Sequence, residues 1–191
     1  MNGSNIFENG TVINHNRFHP DYMQCIAYLL GAPLTFTLAG MPTPEAAFFN
    51  NEIVYKALVE LKWTHPPYDA PGGAIYVESE TGQTTPDIYY PEGDDWGTVN
   101  RMHFAALDSL MTLFTKNGHK YRSEEWHKHH ISRVLEMQSR FTDGHSYESR
   151  KEFTAVWNEE WVASWSTINY MTRWVGHNFQ IITTNESYFE S

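Results

Sequence analysis

The stretch Thr98-Val99-Asn100-Arg101-Met102-His103-Phe104-Ala105-Ala106-Leu107-Asp108-Ser109-Leu110-Met111-Thr112-Leu113-Phe114-Thr115-Lys116 sets Val99, Met102, Ala106, Leu110 and Leu113 three or four residues apart. That spacing puts them on one face of an α-helix, and Asn117-Gly118 supplies its stop. The same period recurs on both sides. Downstream, Ser123 reads as the cap of a helix over Glu124–Arg140, with Trp126, Ile131, Val134 and Met137 facing inward. A last helix follows the turn Thr142-Asp143-Gly144 and runs from about Glu152 to Trp174. Upstream, Thr43-Pro44-Glu45 opens a helix reaching Trp63, with Thr43 as cap and Ala47, Val54, Leu58 and Leu61 along one side. His19-Pro20-Asp21 opens another, with Tyr22, Cys25, Ile26, Leu29 and Leu30 in phase. Gly31-Ala32-Pro33 is expected to break or kink it, and Leu34–Ala39 to continue it as far as Gly40 and Pro42.

Between Thr64 and Trp96 the helical period vanishes. Ala74–Glu78 and Asp87–Tyr90, on either side of Thr81-Gly82-Gln83, predict a short two-stranded excursion. A connection of this length is uncommon unless it does something. Residues 1–18 read as a loop leading into the first helix, and 177–191 as a tail or edge strand. The pattern predicts an all-α fold of antiparallel helical hairpins in an incomplete (α/α) toroid-like arc, with a small β-hairpin excursion, in one domain over residues 1–191. A closed toroid needs about twice the helices counted here, which points to a homo-oligomer or a longer parent polypeptide.

A formal charge of -10, with 13 Lys and Arg scattered along the chain, argues against nucleic acid as a partner. No apolar run reaches the ~18 residues of a membrane span, and the N-terminus lacks the regions of a signal peptide. The single Cys25 lies in the apolar run Met23–Leu30 and reads as a buried thiol. There is no Gly-rich phosphate loop, nucleophile elbow or dinucleotide fingerprint, so no cofactor is expected. His127-Lys128-His129-His130, beside Glu124 and Glu125, lacks the spacing of a zinc site. His130 shares a helical face with Trp126 while His127 and His129 diverge, so these read as capping or solvated side chains and no metal is expected. Aromatic residues make up 15% of the chain, which suits stacking on sugar faces as well as ordinary core filling.

Functional residue types are densest in Asn9-Gly10-Thr11-Val12-Ile13-Asn14-His15-Asn16-Arg17-Phe18-His19-Pro20-Asp21-Tyr22. Asn14 and Arg17 suit a uronate carboxylate, His15 the abstraction of the neighbouring C5 proton, and Tyr22 protonation of the departing glycosidic oxygen. The plainer alternative has Asn and His ordering the loop and Tyr22 filling the core. A second cluster is Tyr89-Tyr90-Pro91-Glu92-Gly93-Asp94-Asp95-Trp96-Gly97, followed by His103. Asp94 or Asp95 beside Trp96 suits a leaving-group acid of raised pKa with Glu160 as the opposing carboxylate, although Asp95 also suits a helix cap. Tyr90, Trp96, His103 and Trp161 are the candidate substrate-binding residues.

The run Asn9 to His15, with Tyr22 shortly after, resembles the Asp-Gly-Ser-aromatic-x-x-His…Tyr segment of polysaccharide lyases with an (α/α) toroid, the hyaluronate and chondroitin lyase group. The separation of His15 and Tyr22 is shorter than in those lyases. The resemblance implies His15 as base, Tyr22 as acid and Asn14 or Asn16 as the amide that neutralises the carboxylate. Asp95-Trp96-Gly97 before a helix, Met137-Gln138…Asp143-Gly144…Tyr147 and Glu159-Glu160-Trp161-Val162-Ala163 are similar to segments of secreted bacterial proteins. Together they imply a carbohydrate-active, extracytoplasmic protein with a polysaccharide or oligosaccharide partner. The first expectation is a lyase built on Asn14, His15, Arg17 and Tyr22. The alternatives are a glycoside hydrolase built on Asp94, Asp95 and Glu160, and a non-catalytic glycan-binding module.

Overall fold

In chain order, β1 (Ile13–Asn14) and β2 (Arg17–Phe18) lead into α1 (Pro20–Met23) and α2 (Ile26–Leu38). A 3₁₀ turn at Glu45–Phe48 precedes α3 (Asn51–Glu60), then come β3 (Tyr76–Glu78) and β4 (Thr84–Ile88). α4 (Arg101–Phe114), α5 (Ser123–Ser139) and α6 (Glu152–Asn178) complete the elements. The computed structural model describes residues 5–64, 68, 72–94, 101–147 and 152–179, with the backbone alone at 152–156. The protein is mostly helical, with two small antiparallel hairpins. Among the described residues no helix is long and apolar enough to cross a membrane.

The helix read from residues 98–116 is the axis of the fold. Every residue of α4 from Met102 to Met111 is buried, so it has no solvent face there. It packs against α2, α5 and α6, and the short connection to α5 makes the two a helical hairpin. Trp126 and Val134 of α5 are buried in this core with Ile131 packed against it, as the period predicts, and Met137 is buried outside the cluster. From α6, Val162, Trp165 and Val175 join the same cluster. β3 packs on α3 and β4 on α5, so the excursion between α3 and α4 closes one side of the core.

Three local expectations are corrected. α2 runs through Gly31 and Pro33 without a break, because Ile26, Ala27, Leu30, Pro33, Leu34 and Thr37 are buried along it. That packing outweighs the roughly 3 kcal/mol that an interior proline removes. The chain changes element earlier, at Gln24 and Cys25, whose backbones both stay right-handed helical. The helix expected from Thr43 to Trp63 is divided: α3 starts only after Asn50, which sits at φ 60, a left-handed conformation that Asn tolerates better than most residues. Ser123 does not cap α5. Its hydroxyl is buried against Thr112 Oγ1 at 2.7 Å, and Arg122 at φ 58 precedes the helix instead.

Residues 1–18, expected as loop, contain the β1–β2 hairpin. Ile13 pairs with Phe18 and Asn14 with Arg17, leaving His15 and Asn16 as a two-residue turn. Both have positive φ, 51° and 61°, as the tightest hairpin turns require. The usual residues for such a turn are Asn-Gly, so His-Asn gives little sequence signal of it.

Candidate functional site

The β1–β2 hairpin presents His15 at its exposed tip. Asn14 Oδ1 accepts a bond from the His15 backbone N–H at 2.8 Å, which leaves the Asn14 amide hydrogens free for other acceptors. The imidazole meets the Tyr22 ring edge-on, centroids 5.9 Å apart, and Tyr22 in turn meets His19 at 5.1 Å. Pro20 at the first helical position and the His19 carbonyl, which accepts from Tyr22 N–H at 3.0 Å, fix the start of α1. Asn14, His15, Arg17 and Tyr22 are therefore neighbours in space as well as in sequence.

The segment after β4 closes on this edge. A turn over Tyr90-Pro91-Glu92-Gly93, held by Gly93 N–H donating to the Tyr90 carbonyl at 3.1 Å, turns Glu92 toward the hairpin. Glu92 Oε2 accepts from Phe18 N–H at 2.6 Å, and Arg17 Nη1 donates to the Glu92 carbonyl at 3.5 Å. Below them lies Asp21, wholly buried. Gln24 Nε2 donates to its Oδ1 at 2.7 Å and Tyr90 hydroxyl to its Oδ2 at 2.8 Å. His19 Nδ1 is 3.8 Å from the same Oδ2. Burial and then the nearby Asp21 carboxylate raise the Tyr90 phenol well above its ordinary pKa, with Asp94 adding to the effect. The Cys25 thiol, pushed up to about 11 by burial and Asp21, stays protonated and donates to the Asp21 carbonyl at 3.3 Å. Thus the first and second sequence clusters converge through Arg17, Phe18, Asp21, Tyr90 and Glu92. Asp95 and Trp96 lie outside the described residues.

A second feature is an open cleft of about 480 Å³ between α2 and α6, lined by Tyr28, Gly31, Trp157, Glu160, Trp161 and Trp165 among others. Trp157 and Trp161 stand 6.0 Å apart at 47°, with Trp157 half-exposed. A Cβ on Gly31 would meet nothing within 4 Å, so packing does not demand a glycine there. The His103 ring lies buried behind the lining: it stacks on Trp165 at 3.7 Å and meets Tyr28 edge-on at 5.6 Å. Burial drives its pKa well below the usual histidine range, the Gln24 backbone pulling weakly the other way. Of the two adjacent glutamates, Glu159 accepts Ser146 N–H and Tyr147 N–H at 2.7 and 2.8 Å and so holds the chain after α5, while Glu160 is exposed at the cleft. Tyr147 packs with His103, Trp161 and Trp165 and feels the charges of Arg101 and Asp21, which connects the cleft to the hairpin edge.

A third polar group is closed. Asp108, in the middle of α4, accepts Tyr55 and Tyr76 hydroxyls at 2.8 Å each on Oδ1 and His130 Nδ1 at 2.7 Å on Oδ2. All four side chains are buried. His127, expected to diverge, is also buried and its Nε2 pairs with Asn169 Oδ1 at 2.9 Å, while His129 is exposed.

Sequence reasoning missed the roles of His19, Asp21, Gln24, Glu92 and Asp108. Two signals were available: an Asp inside the apolar run Phe104–Met111, and a His and an Asp two residues apart across a helix start. No protein-family model, curated protein or solved structure matches the chain.

Proposed function

We propose that the chain is a polysaccharide lyase of (α/α)-toroid type that cleaves uronate-containing glycans by β-elimination, with the hairpin tip and α1 as its working edge. The observation that carries this reading is the edge-on contact of His15 and Tyr22 at 5.9 Å, within a segment that also holds Asn14 and Arg17. β-Elimination needs a base and an acid at adjacent carbons of one sugar ring, and neighbouring side chains can serve both. His15 takes the C5 proton, the released electron pair forms the C4–C5 double bond, and the C4–O bond breaks as its oxygen takes the Tyr22 proton. Proton return from His15 to Tyr22, directly or through water, resets the pair. Arg17 and the Asn14 amide offset charge on the uronate carboxylate, which acidifies C5.

Two further features support the reading. His15, held at φ 51, stores about 1–2 kcal/mol of backbone strain in the turn, a feature found at working sites as well as at turns elsewhere. The cleft of Tyr28, Trp157 and Trp161 offers aromatic faces to a sugar chain. Such a substrate implies an extracytoplasmic setting.

The test is incubation with a panel of uronate polysaccharides, followed by ultraviolet absorbance of the unsaturated product and by a reducing-end assay. Both signals together are expected. Reducing ends without unsaturation would move the chemistry to Asp94, Asp95 and Glu160 as a hydrolase. Glycan binding without either product would make the protein a binding module.

A further inference from the structure

We infer that His19, Asp21 and Asp94 form a binding site for one divalent transition-metal cation. A donor atom from each of the three lies within 4.8 Å of the other two. His19 and Asp21 are wholly buried, and Asp94 is half-buried. One imidazole and two carboxylates match Zn²⁺ or Mn²⁺, whereas Ca²⁺ and Mg²⁺ prefer an all-oxygen shell. Metal bonds of about 2.0–2.2 Å put tetrahedral donors roughly 3.4 Å apart, so the 3.8 Å between His19 Nδ1 and Asp21 Oδ2 needs only a small contraction.

A second observation points the same way. The carboxamide of Gln24 is wholly buried against Asp21, and while its Nε2 donates to Oδ1, its Oε1 meets no donor among the described residues. A buried acceptor left without a donor is unfavourable, and a water bound to the cation would supply one. The surroundings also suit a ligand carboxylate. Gln24 and Tyr90 each hold one oxygen of Asp21, which fixes its orientation as partners of metal ligands commonly do. With three protein donors the cation keeps at least one position for water.

Cation binding and β-elimination are separable, and each test can fail without the other. The full chain, stripped with chelator, is titrated calorimetrically with Zn²⁺ and with Mn²⁺, and its thermal midpoint is followed against ion concentration. One equivalent bound per chain and a midpoint that rises with the ion are expected. Asp94→Asn, at the half-buried position, keeps the chelated midpoint of the parent and binds at least tenfold more weakly. His19→Gln, at a buried position, has a lower chelated midpoint but also binds at least tenfold more weakly in calorimetry, and His129→Gln, on the exposed histidine of α5, binds as the parent does. Absence of any ion-dependent shift in the parent overturns the inference. So does undiminished binding by Asp94→Asn and His19→Gln, which would locate the ion elsewhere.

Discussion

Asp108 and Asp21 are both buried aspartates in the company of tyrosine and histidine, yet they have opposite surroundings. Asp108 receives three donors, from α3, β3 and α5, and thereby ties those elements to the central helix. Asp21 accepts from Gln24 and Tyr90, with His19 at 3.8 Å and a second carboxylate, Asp94, close by. Residue type alone does not separate scaffold from site. The company each keeps does: donors from three packed elements of the core at Asp108, and a second carboxylate at Asp21.

The largest effect expected from this contrast is at Asp108. Asp108→Ala strands two tyrosine hydroxyls and the His130 imidazole in the core and should remove about 3–5 kcal/mol of stability in urea unfolding. A loss under about 1 kcal/mol would mean that the network ties nothing together. Asp21→Asn keeps shape and one acceptor oxygen, so a smaller loss of roughly 1–3 kcal/mol is expected, with a cooperative transition but with cation binding gone. If it unfolds the protein as Asp108→Ala does, the distinction between the two aspartates fails.

His103 sharpens the comparison further, as a buried polar group held neutral by burial instead of by a partner. Its pKa is depressed in the folded chain, while the unfolded chain takes up a proton near the ordinary value of about 6.5. Below that pH the unfolded state binds more protons than the folded one. Stability is therefore full above about pH 6.5 and falls as pH drops, by at most about 1.4 kcal/mol per pH unit from this one group. His103→Phe retains a ring against Trp165 and should flatten that acid limb in thermal melts at graded pH. An unchanged limb would assign it to other groups.

How much of this was legible follows the range of the interactions. Helices were legible because Met102, Ala106 and Leu110 declare their face within one segment. The continuity of α2 through Pro33 was not, since it depends on what Leu30 and Leu34 meet in the core. Likewise Thr43 and Ser123 looked like caps, but both are buried, and Ser123 turns to Thr112. The candidate residues Asn14, His15, Arg17 and Tyr22 could be grouped from sequence because one hairpin and one helix start hold them. Asp108 with Tyr55, Tyr76 and His130, and Asp21 with Tyr90, are joined across 22 to 69 residues, and no local period carries that information.

The central claim, that the hairpin tip does chemistry, is tested most directly at His15. The measurement is the initial rate of unsaturated-uronate formation by the parent and by His15→Ala on the polysaccharide that the parent cleaves best. His15 is exposed but sits at φ 51 against Tyr22, so the substitution should lower the thermal midpoint only slightly while the rate falls by about 10²–10⁴-fold, the usual contribution of a general base. A parent that forms no unsaturated product from any uronate polysaccharide, or a variant as fast as the parent, would contradict the account.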